Sequence, residues 1–330
     1  MLFLKCSSYL VILISDAWRT NIKEMVNMFD LSILQKAMTK NDDNNNDRRR
    51  FLRTAGVTTM GLMVASQLVP NLMPAALAQG TLTDADILNF ALNLEYLEAE
   101  FYVRAAFGRG LADADTTGTG TRGEVSGGRQ VPFATESIRQ YAIEIARDEE
   151  AHVKFLRAAL ADAKVARPAI DIMQSFTNAA RAAGVIGGTQ TFDPYADENS
   201  FLLAAFIFED VGVTAYKGAA RFLQNKDFLE AAAGLLAVEA YHASLVRTIL
   251  FARGLSTPVR QISDLRDAVD GTDDRDQGII GPDGLSNIVP TDANGLAFSR
   301  TPRQVLSIVY LQENATQGGF FPAGVNGNVR

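Results

Sequence analysis

Between residues 83 and 252, apolar positions recur at three- and four-residue spacing in four long stretches, the signature of helices that bury one face. Ile87, Leu88, Ala91 and Leu94 set the first stripe, opened by a cap at Thr83 or Asp84 and running to about Phe107. The second stretch covers about Thr135 to Ala163, with Pro168 marking its end. The third is capped at Asn199 or Ser200 and runs to about Leu223. The fourth spans about Asp227 to Ala252, where Asp227 and Glu230 have the spacing of a capping box. A Gly/Thr-rich loop from Gly108 to Gly128, flexible by composition, joins the first two. A short helix from about Ile170 to Ala183 occupies the connection between the second and third. Beyond Ala252 the pattern predicts a short helix near Ile262 to Val269, a Gly/Asp-rich loop and a helix from about Pro302 to Leu311. Residues 79–330 read as one all-α domain, a bundle with a C-terminal extension.

The four stretches are two units, each used twice. Aligning Glu95 with Glu209 places Leu88 on Leu202, Ala91 on Ala205, Tyr102 on Tyr216 and Ala105-Ala106 on Ala219-Ala220. Aligning His152 with His242 places Arg157 on Arg247 and Leu160 on Leu250. Two helices each recurring once, in alternation, imply a four-helix bundle with a pseudo-twofold axis.

The chain contains two histidines, and each stands three residues after a glutamate: Glu149-x-x-His152 and Glu239-x-x-His242. Glutamate fills 13 of the 252 positions after Ala78, so chance placement before both histidines is about 0.3%. Positions i and i+3 share a helix face, so each pair can grip a metal ion from one side. The repeat adds Glu95 and Glu209, one inward carboxylate from each of the other two helices. Glu98 shares a face with Glu95 but aligns with Gly212, which has no side chain to offer, so Glu95 is the expected ligand. Four ionised glutamates in a core carry −4, which two divalent cations bring to zero. Without partners the carboxyls would take up protons.

This constellation resembles the ferritin-like superfamily, whose di-iron and di-manganese members carry one glutamate on each of two helices and Glu-x-x-His on each of the other two. Within it, Leu88-Asn89-Phe90-Ala91-Leu92-Asn93-Leu94-Glu95-Tyr96-Leu97-Glu98, Phe298-Ser299-Arg300-Thr301-Pro302 and Gly318-Gly319-Phe320-Phe321-Pro322 look like exported ferritin-like proteins related to plant desiccation-associated proteins. The resemblance covers nearly all of the chain after residue 80. It implies a long crossover between the second and third helices. It also implies Glu149 and Glu239 as bridging ligands, Glu95 and Glu209 as terminal ones, and one metal on each of His152 and His242. Oxygen and imidazole donors suit iron or manganese and leave zinc open. Exchangeable positions would admit O₂ or peroxide.

Around that centre, Tyr102 and Tyr216 follow Glu95 and Glu209 by seven residues, two turns along one face. They read equally as partners of the ligands, as radical quenchers, or as packed core tyrosines with satisfied hydroxyls. Glu150 lies about 100° from Glu149 and is expected to face solvent. Arg157 and Arg247 read either as partners of carboxylates at the bundle end or, the favoured reading, as a solvated face.

Residues 1–78 lie outside this fold. Arg48-Arg49-Arg50-Phe51-Leu52-Arg53 reads as a twin-arginine export signal, followed by an apolar stretch from Ala55 to Val69 and a small-residue cleavage site at Ala76-Leu77-Ala78. The stretch falls short of the ~20 residues a membrane anchor needs. Cleavage there would leave a periplasmic chain without stable membrane insertion. That chain would have 22 Lys+Arg against 32 Asp+Glu, a net −10 that argues against nucleic-acid partners. Cys6 lies in the removed segment, which excludes disulfides, Cys-ligated zinc and iron–sulfur centres, and with them a rubredoxin-like iron site. A homodimer is compatible with the pattern. Three functions remain: stress-related redox chemistry with O₂ or peroxide; a structural, desiccation-protective protein in which metal steadies the bundle; and iron storage, disfavoured because the 78 residues after Ala252 would obstruct cage closure.

Overall fold

The structure, a computed structural model, describes residues 82–330. The expected export signal and cleavage site lie outside the described residues. Four long helices form the bundle: α1 (Asp84–Phe107), α2 (Glu136–Leu160), α4 (Glu198–Ala220) and α5 (Lys226–Ala252), with α3 (Gln174–Ala182) in the crossover between α2 and α4. The extension adds α6 (Ser256–Asp270) and α7 (Pro302–Val309). Helix α1 pairs with α2, and α4 with α5.

Local chemistry sets the helix ends. Thr83 and Asp86 form a reciprocal capping box that opens α1, and Gly108, at φ 71°, closes it in the left-handed conformation. Helix α4 is capped by Asp197 and not by Asn199 or Ser200; its side chain accepts from the Ser200 amide. Helix α5 is capped by Asn225 and not by Asp227, because the Asn225 side chain reaches the amides of Asp227 and Phe228. Helix α3 starts four residues later than the pattern suggested. Ile170-Asp171 are held extended as β2, paired in parallel with Val125-Ser126 (β1), and the Asp171 carboxylate accepts from the amides of Met173 and Gln174. Helix α6 begins six residues earlier than expected.

Helices α1 and α4 are buried on nearly all sides, whereas α2 and α5 bury one face. The crossover and the C-terminal tail supply the missing cover. Phe176 and Phe320 join Phe101 and Phe208 in an aromatic cluster with ring centroids 4.9–5.6 Å apart. The Gly/Thr-rich loop, flexible by composition, is tied down: Thr119 and Gly123 donate to the carbonyls of Lys164 and Arg167, and Ala166 donates back to Thr119.

The arginines expected at a solvated face are buried. Arg157 donates to the Tyr96 hydroxyl at 2.6 Å and to the carbonyls of Thr117 and Ala114. Arg247, 1% exposed, donates to Asp210 at 2.6 Å and to the carbonyls of Gln277, Gly278 and Asn287. The sequence hid this because their partners are loop carbonyls, the Tyr96 hydroxyl and Asp210 on α4, all far away in the chain. Arg266 bridges Asp210 and Asp276, and Arg300 bridges Asp270 and Asp276. Three arginines therefore face three aspartates, a neutral buried network that staples the tail to α4 and α5. The tail comes so close that a Cβ on Gly218 would lie 1.9 Å from the Arg300 carbonyl oxygen.

Candidate metal centre

The bundle's centre carries its charge. Glu95 on α1, Glu149 and His152 on α2, Glu209 on α4, and Glu239 and His242 on α5 all project inward and are buried. They form two donor groups, Glu95-Glu149-His152-Glu239 and Glu149-Glu209-His242, in which the ligand atoms lie within 4.8 Å of one another. Glu149 belongs to both groups, as a bridging residue must. Glu239 belongs to the His152 group alone, a departure from the symmetric pair of bridges that the family resemblance implied.

Both imidazoles turn Nδ1 inward. His152 Nδ1 lies 3.3 Å from Glu95, 3.4 Å from Glu149 and 3.5 Å from Glu239. His242 Nδ1 lies 3.1 Å from Glu149 and 3.8 Å from Glu209, and the two rings are 6.4 Å apart. The two tyrosines cross the axis: the Tyr102 hydroxyl donates to Glu209 Oε1, and the Tyr216 hydroxyl donates to Glu95 Oε1. Each fixes the carboxylate of the opposite repeat, which settles the tyrosines as partners of the glutamates. Glu98 is buried but belongs to neither donor group. It borders a cavity of about 20 Å³, walled by Leu94, Ile207, Gly212, Ile308 and Phe320, with room for one water. Glu150, turned away from the centre, pairs instead with Arg109 and Lys154.

Asp148 is a participant that sequence reasoning missed. Its carboxylate lies 3.1 Å from His242 Nε2 and fixes the ring from outside, as carboxylates do behind metal-binding histidines. Adjacency to Glu149 was its sole signal, and the repeat masked it by offering Val238 at the matching position.

The electrostatics fit cations. Glu95 Oε2, both oxygens of Glu149 and Glu239, Glu209 Oε2, and Nδ1 of both histidines are buried without a hydrogen-bond partner among the described residues. Such a set costs free energy unless something shared sits between its members. Without metal, protons serve. Burial pushes Glu95 up to about 8 against the pull of His152, and Glu149 and Glu239 push it further. Burial also raises Glu209 and Glu239. For Glu149 burial is outweighed by the two imidazoles, whose Nδ1 atoms lie 3.4 and 3.1 Å away and which hold it well below the usual range. Burial alone would depress the imidazoles, but surrounding carboxylates raise both, His242 to about 11. Six donor groups of this kind can hold two divalent cations in place of those protons.

An all-α bundle with paired carboxylate–histidine clusters at its centre defines a ferritin-like protein. A family model described as a ferritin-like domain matches residues 83–252, and the chain belongs to that family. The desiccation-related protein PCC13-62 of Craterostigma plantagineum is 32% identical over 248 residues, 68% of this chain and 76% of that protein. The ferritin-like catalase Nec2 of Nesocodon mauritianus is 29% identical over 265 residues, 74% of this chain and 84% of that protein. No solved structure matches.

Proposed function

We propose that this chain is an exported metalloprotein whose centre holds two divalent ions, iron or manganese, and consumes O₂ or hydrogen peroxide under stress. The observation that carries the reading is the convergence of eight buried donor atoms that have no hydrogen-bond partner among the described residues. When bound, the pair would pass electrons to one hydrogen peroxide molecule and recover them from a second, giving water and O₂; with O₂ as the oxidant, an external reductant would return them. The protein's own residues do the rest. Glu149, common to both donor groups, holds the halves together, and the two tyrosines keep Glu95 and Glu209 aimed inward. Ile308, Val309 and Phe320 of the tail close the α1/α4 side. Asp148, whose side chain is 43% exposed, connects His242 to solvent, so small oxidants would enter on that side. The name of the Nesocodon relative, a catalase, supports peroxide as substrate.

Metal analysis of protein purified from its native compartment should find about two ions per chain. The His152→Ala/His242→Ala double variant should lose tight binding, and retention of both ions would sink the assignment. Peroxide or O₂ consumption by the loaded protein tests the chemistry. Absence of turnover with both ions bound would favour the second reading, supported by the name of the Craterostigma relative, in which metal stabilises a desiccation-protective bundle. Export by the twin-arginine route to the periplasm belongs to the same proposal.

A further inference from the structure

The two halves of the centre are not equal, and the inequality traces to one position. The repeat sets Gly212 opposite Glu98. A Cβ on Gly212 would lie 2.5 Å from Glu239 Oε2 and 3.4 Å from Glu98 Oε1, so the Glu239 carboxylate occupies space that any other residue would fill. In the α1/α2 pair the matching position carries the full Glu98 side chain, so Glu149 has no such notch and stays central, within both donor groups. The distances follow this difference. Three carboxylates lie within 3.5 Å of His152 Nδ1, whereas His242 Nδ1 has Glu149 at 3.1 Å and Glu209 at 3.8 Å.

We propose that Gly212 is a positioning residue that makes the two metal subsites inequivalent. Its missing side chain lets Glu239 swing to the His152 side, giving that subsite four donor groups and leaving the His242 subsite three. The inference rests on the metal-centre reading and adds an order to it. The His152 subsite fills first and holds its ion more tightly. The His242 subsite, fixed from outside by Asp148, fills second and keeps a position for exchangeable ligands.

Titration of metal-free protein with Mn²⁺, followed by the electron paramagnetic resonance of the free ion, tests this. Wild type should take up one ion and then another, with dissociation constants at least about tenfold apart, a difference of about 1.4 kcal/mol. His152→Ala should remove the tight step and His242→Ala the weak one. Gly212→Ala favours the helix, and the clashing atom is the far end of a flexible side chain, so the fold should persist while the tight step weakens about tenfold or more. Should that variant fail to fold, the histidine pair still decides. Two equal steps in wild type, or loss of the same step from both histidine variants, would overturn this inference alone. No uptake by wild type would overturn the metal-centre reading and this inference with it.

Discussion

Arg300 offers the sharpest test of how the tail is held. Its guanidinium donates from Nε to Asp270 at 2.5 Å, from Nη2 to Asp276 at 2.9 Å and from Nη1 to the Thr214 hydroxyl at 3.0 Å, fully out of solvent. Arg300→Met keeps most of the volume and removes the charge. Asp276 retains Arg266 and Ser263, but Asp270 loses its one ion-pair partner among the described residues. Removing one partner of a buried pair costs about 3–5 kcal/mol. At about 2–4 °C per kcal/mol for a domain of this size, the melting temperature should fall by roughly 6–20 °C. Burial already holds the Asp270 carboxyl above its ordinary value, with Arg300 pulling it back down. Without Arg300 the native state binds that proton more readily than the unfolded chain. Stability from this group is therefore complete below the unfolded value near 3.8 and is lost as pH rises through the folded one. The variant should lie closest to wild type at pH 5 and fall further behind at pH 8. Thermal melts at both values, with exposed Arg303→Met as a control expected within about 0.5 kcal/mol, decide the matter. A loss below about 1 kcal/mol, or a gap that narrows as pH rises, would refute the reasoning.

Glu95→Ala should cost more metal affinity than Glu98→Ala, because Glu95 alone of the two lies in a donor group; competition against a chelator reads the difference, and a larger loss at Glu98 would contradict the assignment. The metal-free protein should lose stability as pH rises from about 4.5 to about 8, because the native state holds the Glu95 proton better than the unfolded chain does; melts that climb over that range would count against the buried cluster. Changing Arg48 and Arg49 to Lys should leave a folded precursor in the cytoplasm, whereas wild type should appear in the periplasm beginning at Gln79; fractionation with N-terminal sequencing checks both.

The sequence by itself determined the helical class, the twofold repeat and the six inward donors, because helical periodicity is local and the repeat counts each feature twice. Thr83, one of the two caps expected, opens α1, since a capping box spans only four residues. What depended on distant partners was invisible. Asp171 starts α3 late because β1, 45 residues earlier, holds Ile170-Asp171 extended. Arg157 and Arg247 look like surface cations until the loop carbonyls and Asp210 that accept their hydrogen bonds are brought to them by folding. The repeat's regularity also hid an asymmetry: Glu98 stands in one half where Gly212 stands in the other, and Glu149 falls in both donor groups whereas Glu239 falls in one. Local pattern fixes which residues face the core. Only packing in three dimensions fixes which of them meet, because a carboxylate goes where a neighbouring helix leaves room.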